Sequence, residues 1–476
     1  MNTRKKRKAI AAAVGFVVVA AFSCAAGAQQ SALPAAPRAH LLVAAAGQAA
    51  MPSAAPATAA AQPTAAAADT GPRLTLSQAE QMAIRNNPNI SVARLLALAQ
   101  AQVTREARSA EMPMAAGSLT AVGSHPDSRI TAGALNNPSI YDRAAGGLTV
   151  SQLITDFGRT HNLVLSAKSS ARAQLESERA TELDIALTVD QAFYQALTAQ
   201  AVLRVAQQTV AQRQATGDQV SALTKAKIKS DLDQSFANTQ LAQARLMLVD
   251  AQSNEQNTMA ELDDVLGLET DQQFTLVDET GTNPPPAPDD PESMVKAALS
   301  ARPDLAAMND TTLAARQYST AQRDLWMPTV SALAAVGGTP VRADQIQSSW
   351  YGAAGANINI PIFNGFLFSA EAKEAKLRAQ ADEEKTRNLR DEIARDVRTA
   401  VLNAQAAYQR IAVTQQMLDQ ANLALDLSQA RYKIGLSSIV ELTQAELSQT
   451  EAEIDNTSAR YEYQTALAEV RYQVGQ

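Results

Sequence analysis

The chain has 476 residues and a formal net charge of −7, and only 4% of its residues are aromatic although 46% are hydrophobic. Large aliphatic and aromatic side chains dominate globular cores, so a composition this rich in alanine argues against a large compact core. Alanine is the strongest helix former, which favours long helices packed closely together. The acidic charge argues against a nucleic-acid partner.

The N-terminal segment 1–28 has the three parts of a secretory signal peptide. Five basic residues at 4–8 precede an apolar stretch from Ala9 to Phe22, and Ala26-Gly27-Ala28 fits the small-residue cleavage rule. The only cysteine, Cys24, lies in this segment without the leucine expected three residues before a lipidated cysteine. Cleavage after Ala28 is therefore favoured over lipidation, and it would leave a mature chain without thiols.

Two segments divide the rest of the chain. Residues 29–72 are mainly Ala, Pro, Gln and Thr and cannot bury enough apolar surface to fold, which predicts a disordered tail. The proline-rich segment 281–291 suits neither helix nor strand and is predicted to be a linker. It separates repeat 1, residues 73–280, from repeat 2, residues 292–476.

The two repeats correspond to each other along their length, which is the most informative feature of the sequence. Asn87-Pro88 matches Arg302-Pro303 at a numbering shift of 215. Farther along, the shift is 207 between Asp156-Phe157-Gly158 and Phe363-Asn364-Gly365, and 208 from Val189 and Val397 onward.

Each repeat is predicted to contain two short strands, a long helix and a return helix, which gives an α+β fold class. Apolar and polar residues alternate in the strands, as in Ile358 and Ile360 against Asn357 and Asn359. The predicted strands are 115–124, 144–154, 329–338 and 350–362, the long helices 157–226 and 364–432, and the return helices 231–266 and 438–474.

Strands of about ten residues with one apolar face suit a tilted crossing of an outer membrane. Trp326, Trp350 and Tyr351 open the strands of repeat 2. We predict that these aromatics contact the membrane interface, with ordinary core positions as the alternative. The predicted barrel–helix junction residues are Gly158, Pro361 and Gly365.

The long helices are the stronger signal. Small and apolar residues recur at three- and four-residue spacing, which predicts coiled-coil packing with small side chains at the contacts. This row of small and apolar residues occurs in both repeats at a shift of 208, and Arg213 is the one position that interrupts it. Charges occur throughout these helices, so they cannot cross lipid and are expected to project into the periplasm.

Four strands from one chain cannot close a barrel, and open strand edges are not tolerated in lipid. The smallest membrane barrels have about eight strands, so at least two copies must contribute. Three copies would supply twelve strands and a wider tube.

Three segments resemble the TolC-like outer-membrane efflux family: SQLITDFGRT (151–160), NINIPIFNG (357–365) and RYKIGLSSIVELTQAEL (431–447). The resemblance covers about residues 73–475 and implies a homotrimer, with a 12-stranded β-barrel in outer-membrane lipid on an α-helical periplasmic barrel. It implies an exit duct of a tripartite efflux or type I secretion system. The implied partners are a periplasmic adaptor (membrane fusion protein) and an inner-membrane pump of the RND, ABC or MFS type, and no cofactor is implied.

The resemblance also places a gate at the periplasmic tip, where each long helix turns into its return helix. The family's second acid and its latch arginine fall on Gln444 and Ser437, so the latch is absent or rebuilt. The implied gate residues are Asp233, Glu441, Gln444, Tyr432, Thr224 and Ser437. The implied tip-turn and adaptor-contact residues are Lys227, Lys229, Gly435, Leu436 and Ser438.

Glu441 and Asp233 have two compatible interpretations. A ring of three Glu441 carboxylates would select cations in a narrow pore. Both acids also begin the return helices, where an acid favours the helix dipole and caps the helix. Lys225, Lys227 and Lys229 are candidates to replace the missing positive charge.

No enzyme site or metal site is predicted. The three histidines, His40, His125 and His161, have no partner at metal-ligand spacing, and no phosphate loop or nucleophile elbow occurs. The alternative to a channel is a periplasmic coiled-coil adaptor or structural protein of an export complex. Adaptors usually have one helical hairpin between β-domains, whereas this chain has two hairpins and two strand pairs.

Overall fold

The structure is a computed structural model, and it forms two compact units. The sheet unit comprises residues 113–154 and 330–358, and the helical unit comprises residues 72–112, 155–329 and 359–476. The predicted signal peptide with Cys24, and the predicted tail up to residue 71, lie outside the described residues. The structure describes residues 72–123, 129–132, 135–139, 143–268, 274–279, 284–341 and 349–476.

The two repeats contain the same series of helices. The long helices each have 67 residues, and their first residues, Arg159 and Leu367, are related by the shift of 208. None of the described helices combines the length and the apolar character needed to cross a membrane. Repeat 1 has α1 (Leu76–Asn86), α2 (Pro88–Ser109), α3 (Arg159–Lys225) and α4 (Asp231–Val265), and repeat 2 has α5 (Pro291–Ala301), α6 (Pro303–Arg323), α7 (Leu367–Lys433) and α8 (Ile439–Val474).

Proline sets the same break in both repeats. Asn87 and Arg302 each precede a proline, which disfavours helical backbone at the residue before it. Both residues are extended, with φ −64° and ψ 124° at Asn87 and φ −64° and ψ 123° at Arg302. Each proline then occupies the first position of the next helix, where its missing N–H does no harm.

The strands form one four-stranded sheet and two small pairs. In the sheet the order is β2-β5-β7-β8, and β2 is antiparallel to β5, with Met114 opposite Ser151. The strands are β1 (Arg73–Leu74), β2 (Met114–Val122), β3 (Arg129–Ala132), β4 (Leu135–Ser139), β5 (Arg143–Thr155), β6 (Thr275–Leu276), β7 (Thr329–Val341) and β8 (Trp350–Asn359). The pairs are parallel β1–β6 and antiparallel β3–β4.

The sheet unit is a single exposed layer. Every residue of β8 is exposed, and so are all but the last of β2. Leu119 is 93% exposed and Ile358 is 61% exposed. Among the described residues, none of the three buried hydrophobic clusters includes a residue of this unit. The two strand pairs therefore do not fold around a buried core of their own.

The buried cores lie in the helical unit, at matching heights of the two long helices. One core packs α1 and the β1–β6 pair against α3 around Val189, and another packs α5 against α7 around Val397. These two valines are related by the shift of 208, and both are fully buried. The short helices thus dock at equivalent places in both repeats.

The structure corrects two sequence expectations at the strand–helix junctions. Trp326 does not open a strand but ends a 3-10 turn, Asp324–Trp326, in the helical unit, and the strand starts at Thr329. The repeat shift at the start of the long helices is 208 and not 207. The left-handed pair Phe157-Gly158 therefore corresponds to Gly365-Phe366.

Candidate functional site

The two hairpin turns at the ends of the long helices have the same backbone. Lys227 has φ +58°, and its counterpart Gly435, at the shift of 208, has φ +79°. Glycine adopts this left-handed conformation freely, whereas it costs an ordinary residue about 1–2 kcal/mol. Repeat 1 therefore keeps a lysine in the turn at an energetic cost.

Both predicted gate acids lie in the first turn of a return helix. Ser230 accepts a hydrogen bond from the Asp233 backbone N–H at 3.2 Å, and the Asp233 carboxylate accepts one from the Ser230 N–H at 3.1 Å. Ser438 accepts from the Glu441 N–H at 3.2 Å. These caps satisfy amide groups that the helix leaves unpaired.

Glu441 is exposed and lies beside a basic residue. Its carboxylate lies 3.5 Å from Arg431 Nε, and the two side chains are 42% and 56% exposed. An ion pair this exposed contributes little stability. Gln444 is also exposed, while Asp233 and Thr224 are half-buried.

Tyr432 and Ser437 are buried, unlike the other predicted gate residues. Tyr432 is 3% exposed and Ser437 is 9% exposed, and within the described residues neither hydroxyl has a hydrogen-bond partner. Burial, and secondarily the negative charge of Asp233, raises the pKa of Tyr432. Tyr432 belongs to the tip cluster, which joins all four hairpin helices: Val220, Ala237, Leu425, Tyr432, Ile439 and Leu442.

Lys229 connects the two hairpins at this point. Its Nζ lies 4.3 Å from the centroid of the Tyr432 ring, which is a cation–π distance. Lys229 is in the turn of repeat 1, and Tyr432 is near the end of α7. Of the three lysines suggested as replacements for the latch arginine, Lys229 makes this contact, while Lys225 and Lys227 are exposed.

Large apolar side chains are exposed at equivalent places on both turns. Ile228 and Leu232 are 68% and 64% exposed, and their counterparts Leu436 and Val440 are 67% and 54% exposed. Sequence reasoning selected Leu436 but not the other three. The repeat shift of 208 was the signal that pairs them.

A buried ion pair lies farther from the turns. Arg213 on α3 bonds to Glu446 on α8, and Thr216 donates a hydrogen bond to the same carboxylate at 3.0 Å. Burial lowers the pKa of Arg213 and raises that of Glu446, and their mutual attraction opposes both shifts. Arg213, which interrupts the row of small and apolar residues, thus has a partner, Glu446, that the sequence pattern did not identify.

The predicted junction and aromatic residues lie elsewhere in the chain. Gly158 has φ +105° and Gly365 has φ +64°, and Pro361 lies between β8 and α7. The ring of Trp326 stacks edge-on against Phe368, with 5.8 Å between centroids.

Trp350 and Tyr351 begin β8, and the Tyr351 ring lies over Gly337 and Gly147. A Cβ at either glycine would clash with the Tyr351 side chain. No cluster of three or more metal-ligating side chains occurs within the described ranges.

Known proteins share both the sequence pattern and this fold. The chain is 23% identical over 420 residues to the outer membrane protein TolC of Salmonella enteritidis, covering 84% of this chain and 83% of that protein. Crystal structures of CusC match with a TM-score of 0.74 at 20% identity, over 84% of this chain and 92% of that one. The Campylobacter jejuni outer membrane channel CmeC matches with a TM-score of 0.71 at 16% identity, over 84% and 85%.

The profile of one family matches both repeats. It is described as outer membrane efflux protein, and it matches residues 79–268 and 294–476. The two matched segments make up well over half of the chain and leave out the proline-rich linker. The chain therefore belongs to the outer membrane efflux protein family.

Proposed function

We propose that three copies of this chain form a gated duct that carries substrates from an inner-membrane pump through the periplasm and the outer membrane. Membership of the family makes the chain an outer-membrane efflux channel protein. The single observation that carries the finer proposal is the four-stranded sheet. Among the described residues its edge strands β2 and β8 are exposed on both faces, and each pairs with another strand on one side only.

Barrel closure accounts for these edges. Unpaired backbone groups are not tolerated in lipid, so β2 of one copy must pair with β8 of another. Three sheets of four strands would give a closed wall of twelve, within the range of membrane barrels.

The helices support the same assembly through the internal repeat. α6 is buried on two opposite faces: Thr312 bonds to Thr386 of α7 at 2.8 Å, and the carbonyl of Ala314 accepts a bond from Ser166 of α3 at 2.9 Å. The α3-facing side carries Ala307, Ala314 and Ala321, all buried.

α2, the counterpart of α6, is buried on one face only. The residues that correspond to Ala307, Ala314 and Ala321 are Val92, Ala99 and Glu106, and all three are exposed. Among the described residues α2 has no extensive packing against α7. We infer that α7 of a neighbouring copy covers this face, where Leu377 is 56% exposed although its counterpart Ser169 is 1% exposed.

The tip supplies the gate and the docking surface of this proposal. Lys229 and Tyr432 hold the two hairpins of one copy together, in place of the missing latch arginine. Glu441, with Asp233 beside it, contributes negative charge to the constriction. Ile228, Leu232, Leu436 and Val440 offer apolar contacts to a periplasmic adaptor, which couples the duct to a pump of the RND, ABC or MFS type.

Membrane extraction and planar-bilayer conductance test the proposal. We expect a detergent-requiring trimer whose conductance is cation-selective, with selectivity reduced by Glu441→Gln and Asp233→Asn together. Glu451→Gln, farther along α8, is the matched control and should change nothing. A chain released by osmotic shock as a monomer without conductance would support the periplasmic adaptor instead.

The latch is tested separately in the same bilayers. Lys229→Ala should raise the open fraction of the unliganded channel, because it removes the cation–π contact between hairpins. Tyr432→Phe keeps the ring and should behave like the parent. If Lys227→Ala opens the channel as much as Lys229→Ala, the contact with Tyr432 is not the latch.

A further inference from the structure

The two aromatic residues that begin β8 lie on opposite faces of the sheet. Successive side chains of a strand point to opposite faces, so Trp350 shares one face with Ile358, and Tyr351 shares the other face with Asn357. A Cβ at Gly352 would lie 3.3 Å from the Trp350 ring, as expected for residues two apart on one face. The expected contact with the membrane interface therefore suits Trp350 and not Tyr351.

The register of β2 and β5 shows which face of the sheet is apolar. Leu119 stands opposite Gly146, and a Cβ at Gly146 would lie 2.8 Å from the Leu119 side chain, so both belong to one face. The next pair, Ser118 opposite Gly147, belongs to the other face. The first face carries Leu119, Leu148 and Val150, and the second carries Ser118, Thr149 and Ser151. In a membrane barrel the apolar face contacts lipid and the polar face lines the lumen.

Two glycines assign Tyr351 to the polar face. A Cβ added at Gly337 of β7 or at Gly147 of β5 would collide with the Tyr351 side chain. The side chain therefore crosses β7 and reaches β5 on the face to which Gly147 belongs. Glycine in a strand allows such a close approach. Tyr351 is nevertheless 41% exposed, so part of its ring remains available for contact.

The polar face offers no fixed charge near this ring. None of the described side chains of β2, β5, β7 and β8 is charged. The face of an aromatic ring attracts cations because of its quadrupole. Tyr351 is the second residue of β8, at the end of the strand that does not lead to α7. In the proposed duct this is the outer end.

We infer that Tyr351 lines the lumen near the outer end of the duct, and that its ring is the point at which organic cations in transit contact the barrel wall. Three copies would place three such rings around the lumen. Gly147 and Gly337 are positioning residues, since they let the ring lie against the wall. The inference rests on the proposed trimeric duct.

Block of single channels by tetraphenylphosphonium, added to both sides of a planar bilayer, tests the contact. Tyr351→Ala should weaken the block about two- to five-fold, which corresponds to an exposed cation–π contact. Tyr351→Phe keeps the ring and should behave like the parent. Trp350→Ala, on the apolar face, is the matched control and should leave the block unchanged. Undiminished block in Tyr351→Ala, or an equal loss in Trp350→Ala, would overturn the inference.

A second variant tests on which side of the wall the ring lies. The methyl group added by Gly337→Ala should push the Tyr351 ring away from the wall and into the lumen, so the single-channel conductance should fall. Adding Tyr351→Ala to this variant should restore the conductance. Gly338→Ala is the control, because a Cβ at Gly338 meets only Ser349 O, at 3.5 Å. An assembled Gly337→Ala channel with the conductance of the parent would place the ring outside the lumen and contradict the inference.

The parent channel separates failure of this inference from failure of the proposed function. A parent chain that forms no conducting trimer refutes the duct, and the position of Tyr351 in its lumen falls with it. A parent that conducts, with Tyr351→Ala and Gly337→Ala indistinguishable from it, keeps the duct and refutes only the role of Tyr351. Electrophoresis of detergent-stable trimers shows which variants have assembled, and if Gly337→Ala does not assemble, the block of Tyr351→Ala decides.

Discussion

Repeat 1 and repeat 2 contain the same series of helices but place different side chains at equivalent contacts. Where the short helix meets the long helix, Arg94 lies 3.8 Å from Glu182 in repeat 1, while Arg390 donates to Asn309 in repeat 2. The contact is the same and the side chains are not. Helix caps, prolines and turns therefore determine the backbone path. The side chains differ because each surface packs against a different neighbour.

The largest effect is expected at the Arg213–Glu446 ion pair, which is replaced by Ala421 and Asn238 at the positions related by the shift of 208. Glu446→Leu leaves Arg213 buried without a counter-charge and should lower the free energy of unfolding by about 3–5 kcal/mol. Adding Arg213→Met should recover most of that loss. Asn238→Leu, the equivalent change on α4, is the control and should change the free energy of unfolding little. The measurement is chemical denaturation of the single, unassembled chain.

The docking of α1 on α3 should depend on pH in a way that the docking of α5 on α7 does not. Asp190 on α3 is 6% exposed, and burial followed by the neighbouring Glu80 raises its pKa to about 7. Its counterpart on α7 is Arg398, which instead donates to Glu292 at 2.9 Å. Repeat 1 thus places Asp190 beside both the Glu80 carboxyl and Arg471, whose Nη2 lies 3.1 Å away and opposes the rise in pKa, where repeat 2 has the Arg398–Glu292 ion pair.

The direction of this pH dependence follows from the raised pKa. The folded chain binds the Asp190 proton more tightly than the unfolded chain, so the stabilisation that this proton contributes is complete below about pH 4 and is lost as the pH rises to about 7. The loss is on the order of 4 kcal/mol at most. Denaturation of Asp190→Asn across this range should show a flatter profile, and an unchanged profile would assign the dependence to another group.

Two glycines test how closely the repeats match at the ends of the return helices. Gly267 has φ +70° and a Cβ there would lie 2.9 Å from the Asn86 backbone, while Gly475 has φ +86° and a Cβ would lie 3.1 Å from the Ala301 backbone. Left-handed strain alone costs about 1–2 kcal/mol. Gly267→Ala should therefore destabilise by at least that amount, and Gly475→Ala somewhat less, in thermal unfolding. If both substitutions had equally negligible effects, the backbone next to each helix-breaking proline, at Asn86 and Ala301, would have to move away from the added Cβ.

The smallest effect is expected in the tip turns. Lys227→Gly should stabilise repeat 1 by about 1 kcal/mol, because it relieves an unfavourable left-handed lysine. Gly435→Lys should destabilise repeat 2 by a similar amount. Both changes can be measured by thermal unfolding. A loss of stability in Lys227→Gly would show that the lysine side chain itself holds the turn.

The helices could be predicted closely because their signals are local. The long helices were expected at 157–226 and 364–432, and the structure has Arg159–Lys225 and Leu367–Lys433. Trp326 was misplaced because an aromatic before Met-Pro looks the same whether it ends a turn or opens a strand. The alternation of apolar and polar residues predicts a strand up to residue 362, whereas β8 ends at Asn359, before Pro361.

The contacts of the tip residues could not be predicted from the sequence. The family resemblance assigned Asp233, Glu441 and the lysines to the tip turns, whereas the pairing of Lys229 with Tyr432 joins residues from different repeats. The burial of Ser437 and the partner of Arg213 depend on which helix packs on which. No local pattern encodes these choices.

By itself the sequence determined the duplication, the helix ends, the amphipathic strands and the family to which the chain belongs, because caps, prolines and spacing act over short stretches of chain. Only the tertiary structure decided that α6 is buried on two faces and α2 on one, that strands β2 and β8 of the sheet are exposed within the described ranges, and that Arg213 meets Glu446. Such features depend on packing between segments that are far apart in the chain. Which side chains are buried and which charges are paired is determined only when those segments come into contact.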